Sequence, residues 1–308
     1  MRLASIDIGT NSVKLFVADV DDQQIKNILL EHTVTTRLGE GVDKSGELST
    51  SAMDRTIDAI SDFNNRAKLA GAEDVIAIAT SAVRDAKNND IFVKKVAERT
   101  GLNLQIISGD EEAELTFIGA CSDDYLKYKE IILIDVGGGS TEFILGQNGI
   151  IEDKFSVNIG CVRLTEEFIH SDPIDPIELQ KIIHYLIGAL YVRLCTLSVG
   201  NRELVGVGGT IVTTALIHSN MEGLFSDVHG YILQKDQLVR LLSHLRRMTL
   251  EERKNVPGLP PQRADIIVPG IAIFSTVMEI LKKQEIIVSK RGLKYGALLK
   301  MANIMDAG

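Results

Sequence analysis

Two stretches of this 308-residue chain place a carboxylate, glycines and hydroxyls in the same order: Asp7-Ile8-Gly9-Thr10-Asn11-Ser12 and Asp135-Val136-Gly137-Gly138-Gly139-Ser140-Thr141. Glycines let backbone N–H groups approach an anion such as phosphate closely, and Thr10, Ser12, Ser140 and Thr141 add hydroxyl donors. The aspartates repel phosphate. They are expected instead to hold a divalent cation, or its water ligands, which neutralises the anion. One Asp-x-Gly alone reads as a turn, but two at matching places outweigh that reading. A third cluster, Gly206-Val207-Gly208-Gly209-Thr210, follows a strand of its own and fits a turn or a helix start equally well. Gly208, Gly209 and Thr210 join the phosphate-binding set. Lys14 shares a strand face with Ser12, so it points toward the first loop.

The elements that must carry these loops repeat as well. Leu3–Ile8 is a short apolar strand, Val13–Val20 a second, Asp21-Asp22-Gln23-Gln24 a turn and Ile25–Leu30 the returning strand. The pattern restarts at Ile131–Val136, continues with Glu142–Leu145, turns at Gln147-Asn148-Gly149 and returns along Ile150–Phe155. Such a duplication predicts two α/β lobes, 1–125 and 126–308, joined through the polar stretch 121–129. Helical spacing predicts helices from the Ser49/Thr50/Ser51 caps to about Ala70, over Ile91–Arg99, and over about Pro176–Leu197, Lys235–Met248 and Arg263–Gln284. The strand Ile286–Ser289 then leads through Gly292 and Gly296 into a last helix, about 296–306, expected to pack back on the first lobe.

Composition narrows the partners. Hydrophobic residues make up 45% and charged residues 24%, an ordinary globular balance. Aromatics at 5% and no Trp argue against a stacking surface for single-stranded nucleic acid. The net charge of −9 arises wholly within residues 1–126, with 13 Lys+Arg against 22 Asp+Glu; no basic excess exists to bind duplex nucleic acid. No apolar run approaches a membrane span, and Ile266–Ile273 is broken by Pro269 and Gly270. Met1–Ile6 is too short for a signal core, and Cys121, Cys161 and Cys195 are scattered, reading as small buried residues. A cytoplasmic location follows as the expectation. A homodimer is carried as the candidate assembly.

The paired loops resemble the actin-like ATPase superfamily, whose two ribonuclease-H-like lobes clasp phosphate across an interlobe cleft. Four further stretches narrow the likeness: Ala79-Thr80-Ser81-Ala82-Val83-Arg84-Asp85-Ala86, Ser108-Gly109-Asp110-Glu111-Glu112-Ala113, Asn158 to Glu166, and Gln262-Arg263-Ala264-Asp265-Ile266-Ile267. With Gly292-Leu293-Lys294-Tyr295-Gly296 they resemble, in order and over nearly the whole chain, the exopolyphosphatase / guanosine pentaphosphate phosphatase family in its short form. Thr10 where Ser is common and Lys294 where Arg is frequent are departures that keep the chemistry.

The resemblance implies that Glu112 orients and deprotonates the attacking water. Asp110, Glu111 and Glu114 crowd it and are expected to raise its pKa. As a plain alternative, acidic residues after Ser108-Gly109 cap a helix, which suits Asp110 and Glu111 better than Glu112. By the same resemblance Asp135 and Glu142 lie near the metal and the water, and Arg84 and Arg163 face the phosphates, where guanidinium forks match phosphate oxygens. Arg263 heads a helix and either binds substrate or pairs with Asp265. Asp7, Asp135 and Glu142 are the expected metal ligands, and hard oxygen donors without His or Cys favour Mg²⁺ or Mn²⁺. His170, His184, His218 and His244 read as ordinary surface or helix residues.

The implied reaction is metal-dependent hydrolysis of the terminal phosphate of inorganic polyphosphate, with guanosine pentaphosphate as the alternative substrate. A kinase of the same superfold lacks a recognisable acceptor pocket here, and Glu112 speaks against a protein that only binds polyphosphate or guanosine tetraphosphate. Without the extra C-terminal helical region of longer family members, a long polyanion is left to bind the lobes themselves. Residues 235–308 carry 13 Lys+Arg against 7 Asp+Glu. Arg246, Arg247, Lys282, Lys283, Lys290 and Lys294 are expected to extend a basic track from the cleft.

Overall fold

The computed structural model describes residues 1–22, 24–221 and 227–306. In chain order the first half holds β1 (Arg2–Ile8), β2 (Ser12–Asp21), β3 (Gln24–Thr35), α1 (Val42–Ser45), α2 (Thr50–Leu69), β4 (Asp74–Ala79), α3 (Ser81–Asp85), α4 (Asn89–Thr100), β5 (Leu104–Ile106) and α5 (Gly109–Cys121). The second holds β6 (Glu130–Val136), β7 (Thr141–Gln147), β8 (Ile150–Val157), α6 (Cys161–Phe168), α7 (Pro176–Cys195), β9 (Glu203–Val207), α8 (Gly208–Met221), β10 (Ile232–Gln234), α9 (Lys235–Arg247), α10 (Leu250–Lys254), α11 (Ile267–Ile280), β11 (Glu285–Val288) and α12 (Leu293–Asp306). Part of the turn expected before β3 falls on Gln23, outside the described residues.

The strands make two sheets, ordered β3-β2-β1-β4-β5 and β10-β11-β9-β6-β7-β8. Each begins as an antiparallel meander of three strands and continues with parallel strands beside the first, β1 with β4 and β6 with β9. This is the duplicated ribonuclease-H-like sheet of the actin-like ATPase fold. The inner strands are buried on both faces, so Leu3–Ile8 and Ile131–Ile134 read as apolar runs rather than alternations. Helix α2 starts where the Ser49 hydroxyl accepts from the Ala52 N–H at 3.2 Å and closes its last turn at Ala70.

Two expected boundaries move. Pro260 and Pro261 set a 3₁₀ turn over Pro261–Arg263, so Arg263 precedes α11 rather than heading it. Pro269 is tolerated near the start of α11, where N–H groups lack intrahelical acceptors anyway. Helix α12 begins at Leu293, which places Gly296 inside it. A Cβ on Gly296 would stand 1.7 Å from the Leu115 carbonyl oxygen, and one on Gly119 would stand 2.1 Å from that of Gly292. Glycine is what lets α5 and α12 cross. α5 packs on β7 and β8 of the second sheet, while α12 lies against β1 and β2 of the first. Phe16, Leu298 and Leu299 fill the latter contact; Ala113, Phe117 and Ile144 fill the former.

Candidate active site

The two loops fold into the same tight turn. Gly9 N–H donates to Ser12 O at 3.0 Å, and Gly137 N–H donates to Ser140 O at 2.9 Å. They meet across a cavity of about 320 Å³. Gly9, Thr10, Asn11, Ser12 and Lys14 line it from one side, and Gly137, Gly138, Gly139 and Ser140 from the other. Gly208, Gly209, Thr210 and Arg263 complete the wall with the carboxylates Asp7, Glu112, Asp135 and Glu142. The third glycine cluster is therefore a helix start that opens on the same space. Gly208 has φ +88, and a Cβ there would stand 2.3 Å from Asp135 Oδ1; a Cβ on Gly209 would stand 2.1 Å from Arg263 Nη2. Gly208 needs glycine for its positive φ, whereas at Gly209 a side chain would push the Arg263 fork aside. The Asn11 side-chain amide nitrogen is buried beside the cavity with no protein partner, a donor left available.

The hairpins differ in charge. In the first, Asp7 is paired in register with Lys14, and Lys14 Nζ binds Asp7 Oδ2 at 2.8 Å. In the second, the same position pairs Asp135 with Glu142, carboxylate against carboxylate. Burial raises the Asp135 pKa to about 6, with Lys14 opposing and Asp7 adding to the rise. Glu142 is raised well above the usual range by burial, then by Glu112 and Asp135, although Ser156 donates to it at 2.8 Å. Glu112, in the first turn of α5, reaches about 7: burial raises it most, Arg84 opposes, and Asp135 and Asp7 add to the rise.

The expected cause of that shift is corrected. Glu111 closes a capping box with Ser108, and Glu114 pairs with Lys154 at 3.1 Å, so neither crowds Glu112. It is burial that perturbs the group.

Several expected residues are brought in and others are not. Thr141 is fully buried, its hydroxyl given to Ile159 O at 2.6 Å, so it supports the loop from behind. Arg84 and Arg163 do not line the cavity. Arg84 Nη1 binds Glu112 Oε2 at 3.2 Å and Ile107 O at 3.1 Å. Arg163 gives Nε to Gly139 O at 2.6 Å and its fork to Asp43 and Asp85, tying α6 to the first half. Glu166 adds a contact to Gly41 N–H, and Arg37 takes Asp265 at 2.9 Å. That last pair removes Asp265 as the partner of Arg263. Among the described residues Arg263 has no carboxylate partner, and burial depresses its pKa.

The basic track is also divided. Lys290 and Lys294 line the cavity, while Arg246 binds Ile174 O, Lys283 binds Arg202 O, and neither Arg247 nor Lys282 reaches the cleft. Cys161 alone of the cysteines is buried; Cys195 is exposed. His218 is buried against the Tyr231 hydroxyl at 2.9 Å rather than exposed. Thr80 and Ser81, from the motif around Arg84, line the site, and so do Glu31 and Thr33, which were not singled out. Their signal is register: Thr33 and Glu31 stand opposite Lys14 and Phe16.

The fit of a divalent cation rests on this charge pattern. No three His, Cys, Asp or Glu side chains among the described residues gather as a ready-made cage, and Asp7, expected as a ligand, is held by Lys14 instead. Asp135 and Glu142 remain as two hard oxygen donors with no basic side chain bound to either among the described residues. Two carboxylates, water and substrate oxygens are the set that suits Mg²⁺. No helix among the described residues is long and apolar enough to cross a membrane.

Comparison with known proteins places the chain in a family. The model of the Ppx/GppA phosphatase family matches residues 16–304. Exopolyphosphatase 2 of Mycobacterium tuberculosis is 32% identical over 98% of this chain and 98% of its own. A bifunctional 3-dehydroquinate synthase/phosphatase of Fusobacterium nucleatum is 35% identical over 96% of this chain, which spans only 46% of that protein. The crystal structure of an exopolyphosphatase from Cytophaga hutchinsonii superposes with a TM-score of 0.91 at 28% identity, covering 98% of each chain. The chain, in its doubled loops and in nearly its whole length, belongs to the Ppx/GppA phosphatase family.

Proposed function

We propose that the chain is an exopolyphosphatase, releasing orthophosphate from the end of inorganic polyphosphate with residues 1–125 and 126–308 as its two lobes. The observation that carries the reading is Arg263: a half-buried guanidinium on the cavity wall, without a carboxylate partner among the described residues and pressed on Gly209 at the meeting of three glycine loops. A desolvated, unpaired arginine among free N–H groups is arranged for an anion that arrives from outside. The terminal phosphate lies against the backbone of Gly9–Ser12, Gly137–Ser140 and Gly208–Thr210. Glu112 takes a proton from water, the water oxygen attacks the terminal phosphorus, and the bridging P–O bond breaks to the shortened chain. Loop amides, Lys14 and Arg263 stabilise the charge that builds on the transferring group. Arg84 holds Glu112 in place, and Arg163 ties the lobes together beside the loop.

Asp135 and Glu142 would hold Mg²⁺ or Mn²⁺, which supplies screening of phosphate charge when bound. Activity is therefore expected to vanish in excess chelator and return with Mg²⁺; full activity in chelator would remove the metal from the reading. The chemistry suits a cytoplasmic enzyme, and a homodimer stays the candidate assembly.

Phosphate release from long polyphosphate, tripolyphosphate, guanosine pentaphosphate and ATP, compared side by side, tests the assignment. Polyphosphate is expected to be preferred; preference for guanosine pentaphosphate would change the substrate and keep the chemistry, and binding without release would make the protein a sensor. Arg263→Ala is expected to lower kcat/KM by about 10–100-fold, the loss of one charged hydrogen-bonding group, with Arg263→Lys recovering part. An Arg263→Ala enzyme as active as the parent would remove its role.

A further inference from the structure

The face of the β2–β3 hairpin that floors the cleft runs outward in paired rows: Ser12 with Thr35, Lys14 with Thr33, Phe16 with Glu31. Residues two apart share a face, and each such step advances about 6.8 Å. Glu31 thus lies two steps, roughly 13–14 Å along the strand, from the loop that carries Ser12.

Over this outer row sits Lys294, in the first turn of α12. Its ammonium is 5.6 Å from the ring centres of Phe16 and Tyr295 and is ion-paired with Glu31. Its carbonyl accepts from the Ser5 hydroxyl at 3.0 Å, and Ser5 is the register partner of Phe16. The lysine is therefore fixed to the row from both ends. The two partners differ in solvation, with side-chain exposure of 12% for Lys294 and 37% for Glu31, and both line the cavity.

We propose that Lys294, held in reserve by Glu31, is a distal phosphate subsite that selects longer polyphosphates. The proposal rests on the polyphosphate reading above. The physical argument is one of exchange. A partly exposed carboxylate can turn to water at small cost, whereas the buried ammonium left behind needs an anion. A chain whose end is in the loops supplies one as it passes the outer row. Burial depresses the Lys294 pKa, with Glu31 and Asp7 opposing and Lys14 adding to the fall, so a second anion beside it is welcome. Lys290, paired to Asp227 at 3.3 Å, stands farther toward solvent. The competing explanation is a structural tie between α12 and β3, which has no reason to depend on chain length.

The test measures kcat and KM for the parent, Lys294→Met and Glu31→Gln on tripolyphosphate and on polyphosphates of increasing length, at fixed ionic strength. Lys294→Met keeps the packing over Phe16 and is expected to lower the ratio of long-chain to tripolyphosphate kcat/KM by about 10–100-fold, through KM. Glu31→Gln removes the competitor and is expected to raise that ratio by about 3–10-fold. Equal losses at every length, no change in either variant, or both variants moving the ratio the same way would overturn the subsite. Should Lys294→Met not fold, the sign of the Glu31→Gln change decides alone. Titration of long polyphosphate onto the proteins reads the subsite without turnover. Weakened binding in Lys294→Met with no phosphate release by the parent would keep the subsite and sink the exopolyphosphatase reading.

Discussion

Glu112→Gln is expected to lower turnover by about 10²–10⁴ while leaving substrate affinity near that of the parent, because general-base assistance acts only on the reacting water. Affinity resides elsewhere, in the loop amides, Lys14 and Arg263. The pH profile gives a second readout. Glu112 must be ionised to accept a proton, and its pKa stands at about 7. The rate of the parent therefore rises with pH through that value and levels above it. Gln cannot titrate, so the residual activity of the variant loses this limb. Steady-state kinetics between pH 5 and pH 9 check both points. Near-normal turnover in Glu112→Gln would move the water-activating role to Asp135 or Glu142.

Glu112 also shows how far a sequence reaches and where it stops. Its motif, Ser108 to Ala113, places it at a helix start from spacing alone, and the helix does start there. The reason for its shifted pKa was not readable. Sequence neighbours Glu111 and Glu114 are spent on a cap and on Lys154, while burial and two aspartates more than twenty residues away set the value. The duplicated strand–loop–hairpin was legible because a local pattern repeats, and two sheets with matching meanders follow from it. The packing of α5 on the second sheet was not, since it depends on Gly119 and Gly296 at its crossing with α12, glycines that look like helix breakers. Arg84 and Arg163 show the same limit. Their side chains are long enough to choose between phosphate and nearby carboxylates, and only three-dimensional neighbours decide. Arg263 went the other way, because Arg37 occupies the aspartate two positions along that spacing offered it.

Asp135→Asn is expected to inactivate the enzyme and, at pH 8 in chelating buffer, to make it more stable. The two outcomes share one cause. Asp135 is half-buried opposite the buried Glu142, carboxylate facing carboxylate, and its pKa is raised from 3.8 to about 6. Between those values the folded chain binds more protons than the unfolded chain, so stability falls as pH rises through the window and stays reduced above it. A rise of this size corresponds to about 3 kcal/mol, an upper figure because Asp135 is only half-buried and solvent screens part of the penalty. For a chain of this length the melting temperature gains several degrees. Glu142→Gln is expected to move in the same direction, its carboxyl being raised by burial and by Glu112 and Asp135. Addition of Mg²⁺ should stabilise the parent by mass action and leave Asp135→Asn nearly unmoved, since one of two anionic ligands is gone. Melting curves at pH 5 and pH 8, with chelator or with Mg²⁺, separate the terms. The excess stability of Asp135→Asn should appear at pH 8, shrink at pH 5 and be narrowed by Mg²⁺ acting on the parent. An Asp135→Asn protein that melts below the parent at pH 8 in chelator would mean that the two facing carboxylates carry no charge penalty. The cleft would then have no electrostatic need for a cation, and the pairing of Asp135 with Glu142 would be a feature of packing alone.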